Sequence, residues 1–324
     1  MGNDLLNDLN SGGARTGPVR VLNDLEKAFV QTLLYFDIFQ YPLRKDELLR
    51  TCRRNIDDPP AAAEILDQLV GTGLIIREEG FHYIGAGAGY VERRKQGNAR
   101  ADFRMKKARK VSRFIAKFPY VRGVMLSGSI SKNYMEPDSD IDYFIVTQPG
   151  RLWVARTLLV LYKKVFLLNS HRNFCVNYFV DTDHLMIEDK NLFTATEMIY
   201  LLPTCNAELY HRLRGQNKWA DEFYPNFGFR ETEACHPEQS SLLGRGLEKI
   251  LGGRLGERID TWCMQRTFSR WQHKFAHFDP ERFEITLRTR KYVSKHHPAN
   301  YQQYVTNSLR KKAAEFERTH RVKL

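Results

Sequence analysis

Across residues 21–37 (VLNDLEKAFVQTLLYFD) apolar side chains return every three or four positions, which predicts an amphipathic helix. Pro42 breaks the pattern, and RKDELLRTC predicts a second, shorter helix. Pro59 and Pro60 open a third, AAAEILDQLVGTG, which Gly71 or Gly73 ends. Two β-prone runs follow, LIIRE and FHYIG, separated by Glu79-Gly80. Three helices and then a hairpin is the order of a winged-helix domain, expected here over residues 21–88. Its third helix carries Glu64 and Asp67 and no Lys or Arg between Ala61 and Leu74. An acidic helix repels phosphate and lacks the side chains that read guanine, so protein contact or intramolecular packing is the better expectation.

Beyond the hairpin, GAGAGY (residues 85–90) lacks the glycine spacing of a phosphate loop and reads as a linker. A long basic helix is expected over 91–117, a strand over 121–126, a second strand over 141–146, a helix over 151–167 and a strand over 174–180. From Leu192 onward the pattern is mostly helical, and no internal repeat appears. The aromatic residues Trp262, Phe268, Trp271, Phe275 and Phe278 predict a buried seam. Trp219, Tyr224 and Phe227 are either core or stacking surfaces for a base. The whole reads as an α+β protein, with a flexible tail at 1–20, a central mixed sheet with helices at 89–190, and a helical region with a basic C-terminus at 191–324.

Composition narrows the function classes. No run reaches about 18 uninterrupted apolar residues, the length of a membrane span; residues 152–168 come nearest and are interrupted by Arg156, Lys163 and Lys164. The N-terminal residues have no signal-peptide core, so a cytoplasmic location is expected. Five scattered cysteines with no C-x-x-C pair argue against a zinc knuckle or a disulfide framework. Cys235-His236 has no partner cluster. A net charge of +12 favours polyanionic partners, and its distribution points to two surfaces, 93–117 and 288–323.

The chemistry concentrates in residues 120–147, YVRGVMLSGSISKNYMEPDSDIDYFIVT. Gly128 permits a tight turn at the end of a strand, and Ser129 offers a hydroxyl and an amide to phosphate oxygens. Lys132 adds a mobile positive charge one turn on. Asp140 and Asp142 stand two residues apart at the start of the next strand, on one face, with Cα atoms about 7 Å apart. Carboxylates so placed can converge on a hard divalent cation.

Strand, Gly-Ser, about ten residues, Asp-x-Asp, strand resembles the signature of the DNA polymerase beta-type nucleotidyltransferase superfamily, in whose minimal branch the loop reads G-S-x-x-R/K-G before S-D-I-D. Here it is Gly128, Ser129, Lys132 and Asn133, then Ser139, Asp140, Ile141 and Asp142. The resemblance implies that 89–190 is a nucleotidyltransferase core. It also implies two magnesium ions on Asp140 and Asp142, and a nucleoside triphosphate such as ATP held by Gly128, Ser129 and Lys132. A third carboxylate belongs on a later strand, where this chain has Val176-Asn177-Tyr178. Asn177 can still ligate, but it adds no charge and takes no proton. Asp181, on the same face but roughly 13 Å along an extended strand, is the candidate third catalytic acid, with Asp183 behind it. His171, in the loop before that strand, could reach the triphosphate, although a loop histidine is more often plain surface.

The expected activity is transfer of a nucleoside monophosphate to an unidentified acceptor (small molecule, protein or RNA) with release of pyrophosphate. The alternative is a catalytically silent nucleotide- or nucleic-acid-binding regulator that uses the winged-helix region and the basic clusters.

Overall fold

The computed structural model describes residues 20–85, 87–230 and 240–324; the expected tail, apart from Arg20, and Cys235-His236 lie outside them. The N-terminal unit begins with strand β1 (Arg20–Val21) and helix α1 (Asp24–Asp37). Asn23 and Glu26 cap α1 reciprocally, satisfying amide groups that a helix start leaves open. Strand β2 (Leu43–Arg44), helices α2 (Lys45–Thr51) and α3 (Pro59–Gly71), and the hairpin β3 (Ile76–Glu78) and β4 (Phe81–Tyr83) follow. The three strands form an antiparallel sheet in the order β2-β4-β3. The expected helices and hairpin are all present, and β2 is an addition too short to show periodicity.

Helix α4 (Tyr90–Ala116) leads into the main sheet, built from β5 (Val121–Ser127), the single turn α5 (Gly128–Ser131), β6 (Asp142–Thr147), α6 (Leu152–Phe166) and β7 (Cys175–Asp181). Then come α7 (Leu192–Tyr200), β8 (Leu202–Cys205), α8 (Ala207–Gln216), α9 (Trp219–Phe223), α10 (Leu242–Ile250), α11 (Arg254–Lys274) and α12 (Pro280–Thr286). The hairpin β9 (Thr289–Arg290) and β10 (Val293–Lys295), helix α13 (Tyr301–His320) and β11 (Val322–Lys323) end the chain. The main sheet has six strands in the order β8-β5-β6-β7-β10-β9. Only β6 and β7 pair in parallel; the other neighbours are antiparallel. The architecture is mixed α+β.

Helices cover both faces of this sheet, so its inner strands read as nearly continuous apolar runs. Met125, Phe144, Val146 and Val180 face one core, shared with α1, α3, α7 and α13. Val124, Leu126, Tyr143, Ile145 and Phe179 face the other, with α4 and α6. Most of the N-terminal unit has no separate core, since Leu33, Leu43 and Leu66 belong to the same cluster as Met198 and Val305; Phe81 and Tyr83 of β4 form a small cluster of their own with Val91. The parallel pairing of β1 with β11 joins the two ends of the described chain.

One expectation is supplemented and one corrected. Residues 191–324 are mostly helical as expected, but β8, β9 and β10 also complete the main sheet; at two to four residues each they are too short for alternation to be legible. The aromatic seam of α11 is also split. Trp271 and Phe275 are buried, but Trp262 is 59% exposed, because nine residues at 100° each place it on the opposite face from Trp271.

Helix α4 lies close to the sheet because its inward positions are small: Gly97, Ala101, Ala108 and Ser112. The Tyr134 ring packs directly on Gly97, where an added Cβ would lie 2.2 Å from Cε2. That ring cannot retreat, since Tyr41 sits edge-on against it at 5.4 Å and its hydroxyl is bonded to Glu136. Gly97→Ala should therefore destabilise the protein by about 1–3 kcal/mol through overpacking, although alanine favours a helix by about 1 kcal/mol. A urea midpoint equal to or above that of the wild type would contradict this.

Candidate functional site

β5 ends at Ser127, which pairs with Asp142 at the start of β6. Gly128 turns the chain with φ of 68°, and a Cβ there would stand 2.7 Å from Asp142 Oδ2. Glycine is required twice over, by backbone angle and by the closeness of the carboxylate. Asn133, at the end of the same turn, also adopts a left-handed conformation, with φ of 54°, which asparagine tolerates.

The segment between Asn133 and Asp140 is held by arginines of α4. Arg100 Nε donates to Met135 O at 2.8 Å. Arg104 Nη1 donates to Ser139 O at 2.6 Å, and its Nη2 to Arg172 O at 2.5 Å. Arg93 pairs with Glu136, and Arg94, nearly fully buried, with Glu47 at 2.6 Å. Four of the cations expected to form a polyanion surface over 93–117 are thus engaged in contacts within the protein. Lys106, Lys107, Lys110, Arg113 and Lys117 remain exposed. In the second basic stretch, Arg288 and Lys295 pair with Asp189, and Lys312 with Asp37.

Gly128, Ser129, Lys132, Asp140, Asp142 and Asn177 all line one cavity of about 810 Å³. β6 begins at Asp142, so Asp140 lies just outside the strand rather than on it. Asn177 Nδ2 donates to Asp142 Oδ1 at 2.9 Å. The pairing of β6 with β7 shifts register there, Tyr143 opposite Val176 and Phe144 opposite Tyr178, which leaves Asn177 as the extra residue of a bulge. Bulges re-aim a side chain next to a site. Asn177 Oδ1 is buried and has no hydrogen-bond partner among the described residues.

Asp181 is not brought to this cavity. It pairs with Thr147, at the opposite end of β6 and β7 from the Asp142–Cys175 pair. Its Oδ1 accepts from the backbone of Asp183 and His184 and from His184 Nδ1, at 2.8–3.0 Å. The residue caps a turn, and Asp183 lies within that same turn. The bulge at Asn177 does not shorten the strand enough to bring Asp181 back. Trp219, Tyr224 and Phe227 are buried in the core, with the Tyr224 hydroxyl bonded to Thr196.

A third carboxylate does reach the cavity, from an element the strand pattern did not point to. Glu197, on α7, accepts from Gly128 N at 3.2 Å through Oε2 and from Lys132 Nζ at 2.8 Å through Oε1. Its signal in the sequence is that it is the sole charged residue of α7, LFTATEMIY. Lys132 also donates to Gly128 O at 3.1 Å.

Burial, with the charges of Asp140 and Glu197 adding to it, pushes the Asp142 carboxyl from its ordinary 3.8 up to about 6, against the opposing hydrogen bonds from Cys175 and Asn177. Burial likewise keeps the Cys175 thiol protonated. His297, deep in the cavity, is pushed down to about 4 by burial and by Lys295, and is neutral near pH 7. His171 is exposed, with Nδ1 3.2 Å from Lys163 Nζ.

No family model matches the chain, and no curated protein or solved structure matches it. No helix among the described residues is long and apolar enough to cross a membrane.

Asp142 binds its proton more tightly folded than unfolded. Its ionisation therefore weakens the fold as pH rises from about 4 through about 6, and the penalty is complete above that. Asp142→Asn retains an oxygen that can accept from Asn177 and should stabilise the metal-free protein at about pH 7.5 by on the order of 2 kcal/mol. That gain should vanish at about pH 4. Thermal melts at both pH values test it, and a variant that melts below the wild type at the higher pH would contradict it.

Proposed function

We propose that the protein is a metal-dependent nucleotidyltransferase that moves a nucleoside monophosphate from a nucleoside triphosphate to an acceptor and releases pyrophosphate. One observation carries the reading: a Gly-Ser turn, the Asp140/Asp142 pair and the carboxylate of Glu197 converge on one cavity large enough for a nucleotide. The resemblance of residues 120–147 to the polymerase beta-type nucleotidyltransferase superfamily supports it, as does the strand–turn–strand placement of the motif. The helix and strand order of residues 21–88 supports a winged-helix-like reading of the N-terminal unit. Its Tyr35, Phe36 and Tyr41 line the same cavity, which favours a role in shaping the pocket over reading DNA.

The donors suit magnesium. Asp140 and Asp142 are hard oxygen ligands, their mutual repulsion helps to raise the Asp142 pKa, and Asn177 Oδ1 is a buried acceptor still in need of a partner. The chemistry that magnesium supplies is neutralisation of triphosphate charge and acidification of the acceptor hydroxyl. Gly128 and Ser129 offer the turn against which phosphates rest. Lys132, paired with Glu197, is the side chain that turns to the triphosphate. Glu197 keeps it aimed and supplies the third negative charge that Asn177 lacks.

The rival reading, a silent nucleotide-binding regulator, is favoured by one fact: Glu197 is engaged with Lys132 and Asn177 is uncharged, so only two acids face the cavity without an ion-pair partner. Incubation with α-labelled nucleoside triphosphates, magnesium and an extract of the source cells separates the two. Transfer of label that falls by about a thousandfold or more in Asp140→Asn, the loss of several kcal/mol of metal-borne stabilisation, is the expected result. Nucleotide bound with magnesium but never transferred would favour the regulator. Because a proton competes for Asp142, magnesium affinity should fall about tenfold between about pH 7.5 and about pH 5. Calorimetric titration at the two pH values measures it, and a pH-independent affinity would remove Asp142 from the ligand set.

A further inference from the structure

We propose a second metal site, selective for a borderline transition ion such as zinc, formed by Asp140, His171 and Cys175. One ligand atom from each lies within 4.8 Å of the others. Tetrahedral coordination at metal distances of about 2.0–2.3 Å separates donors by about 3.3–3.8 Å, so donor–donor adjustments of at most about 1–1.5 Å, within the reach of side-chain rotation, close the set. Three side-chain ligands with an open fourth position is the pattern of an accessible rather than a sealed zinc site. His171 is exposed at its mouth.

The backbone holds this group together. Cys175 N donates to Ile141 O at 3.1 Å, and Ile141 N to Arg172 O at 3.2 Å, lacing the start of β6 to the start of β7. Phe174 N donates to His171 O at 2.9 Å, closing the turn that presents the imidazole. The Arg104 fork fixes Ser139 and Arg172, each one residue from a ligand. Around the thiol, Asn177 Nδ2 lies 3.6 Å from Sγ, a neighbour suited to supporting a thiolate. A cation already stands at this spot, the ammonium of Lys163 at 3.2 Å from His171 Nδ1, and burial lowers its pKa against the pull of Asp140, so it is held less tightly than an exposed lysine. A bound ion displaces that ammonium from the ring.

Ligand softness separates this set from the magnesium pair. Thiolate and imidazole prefer zinc, cobalt and their neighbours, and magnesium prefers oxygen. On binding, an S–metal bond forms, the S–H bond breaks and the proton leaves to solvent. Asp140 is common to both sets, so zinc here withdraws a magnesium ligand and inhibits transfer. That consequence rests on the proposed function; the site does not.

The test is a cobalt(II) titration of the full-length protein with excess magnesium and no nucleotide, a readout that stands or falls independently of turnover. One equivalent should give a thiolate-to-cobalt charge-transfer absorption that zinc removes and that persists in the excess magnesium, which competes for Asp140 alone. Cys175→Ser should abolish the band, and His171→Ala should weaken cobalt affinity at least about tenfold. The second variant alters only an exposed loop, so it decides the matter even where the first fails to fold. Absence of the band, or a band unaltered by either substitution, overturns the site.

Discussion

Arg104 reaches from the middle of α4 to the mouth of the main sheet, where one guanidinium nitrogen donates to Ser139 O and the other to Arg172 O. Those carbonyls belong to the two segments that feed β6 and β7, the only parallel pair in the sheet. A parallel pair has no tight turn to set its register, so the relative position of Asp140 and Cys175 needs an outside reference. A planar fork with donors at fixed angles supplies one, as a lysine could not. Arg100 and the Tyr134–Gly97 contact repeat the function one and two turns earlier along α4. The long basic helix is in this sense a jig for the loop that carries the aspartates, and its small inward residues let it sit close enough to act.

The cavity gathers more negative charge than burial readily tolerates. Asp142 shows the strain in its raised pKa, and Asn177 answers by donating rather than accepting. Glu197 is tolerated because Lys132 and the Gly128 amide compensate it. An arrangement of this kind is less stable than a neutral one would be, and such excess is what a cation-binding site retains for its ligand.

Much of this was legible in the sequence. The helices α1, α3, α4 and α6 have long amphipathic or basic patterns with clear Pro or Gly boundaries, and β5, β6 and β7 are apolar runs next to unmistakable turns. Gly128, Asp140 and Asp142 declared themselves through spacing, although Asp140 lies just ahead of β6, so strand alternation is not what brings it to the cavity. The third acid did not. Strand periodicity placed Asp181 on the face of Asn177, but a straight strand carries a residue four places on to the other end of the sheet, where Asp181 caps a turn. Glu197 comes from a helix more than fifty residues downstream of Asp142, and no local rule relates the two. Its isolation in LFTATEMIY was the only trace. The strands β8, β9 and β10 were hidden by brevity, and the internal use of the α4 arginines by the fact that a solvated face and a buried fork have the same composition.

The N-terminal unit also shows how far an element order constrains function. Its order of helices and strands is the one expected of a winged-helix region, yet most of its apolar residues share one core with α7 and α13, and its Tyr41 hydroxyl donates to Lys132 O at 2.7 Å. Tyr41 further stacks beneath the buried Arg94 guanidinium at 3.8 Å, which in turn donates to Pro42 O. A segment tied to the α5 turn by such contacts cannot swing away to a separate ligand without exposing that core. Within this structure it closes one wall of the cavity, through Tyr35, Phe36 and Tyr41.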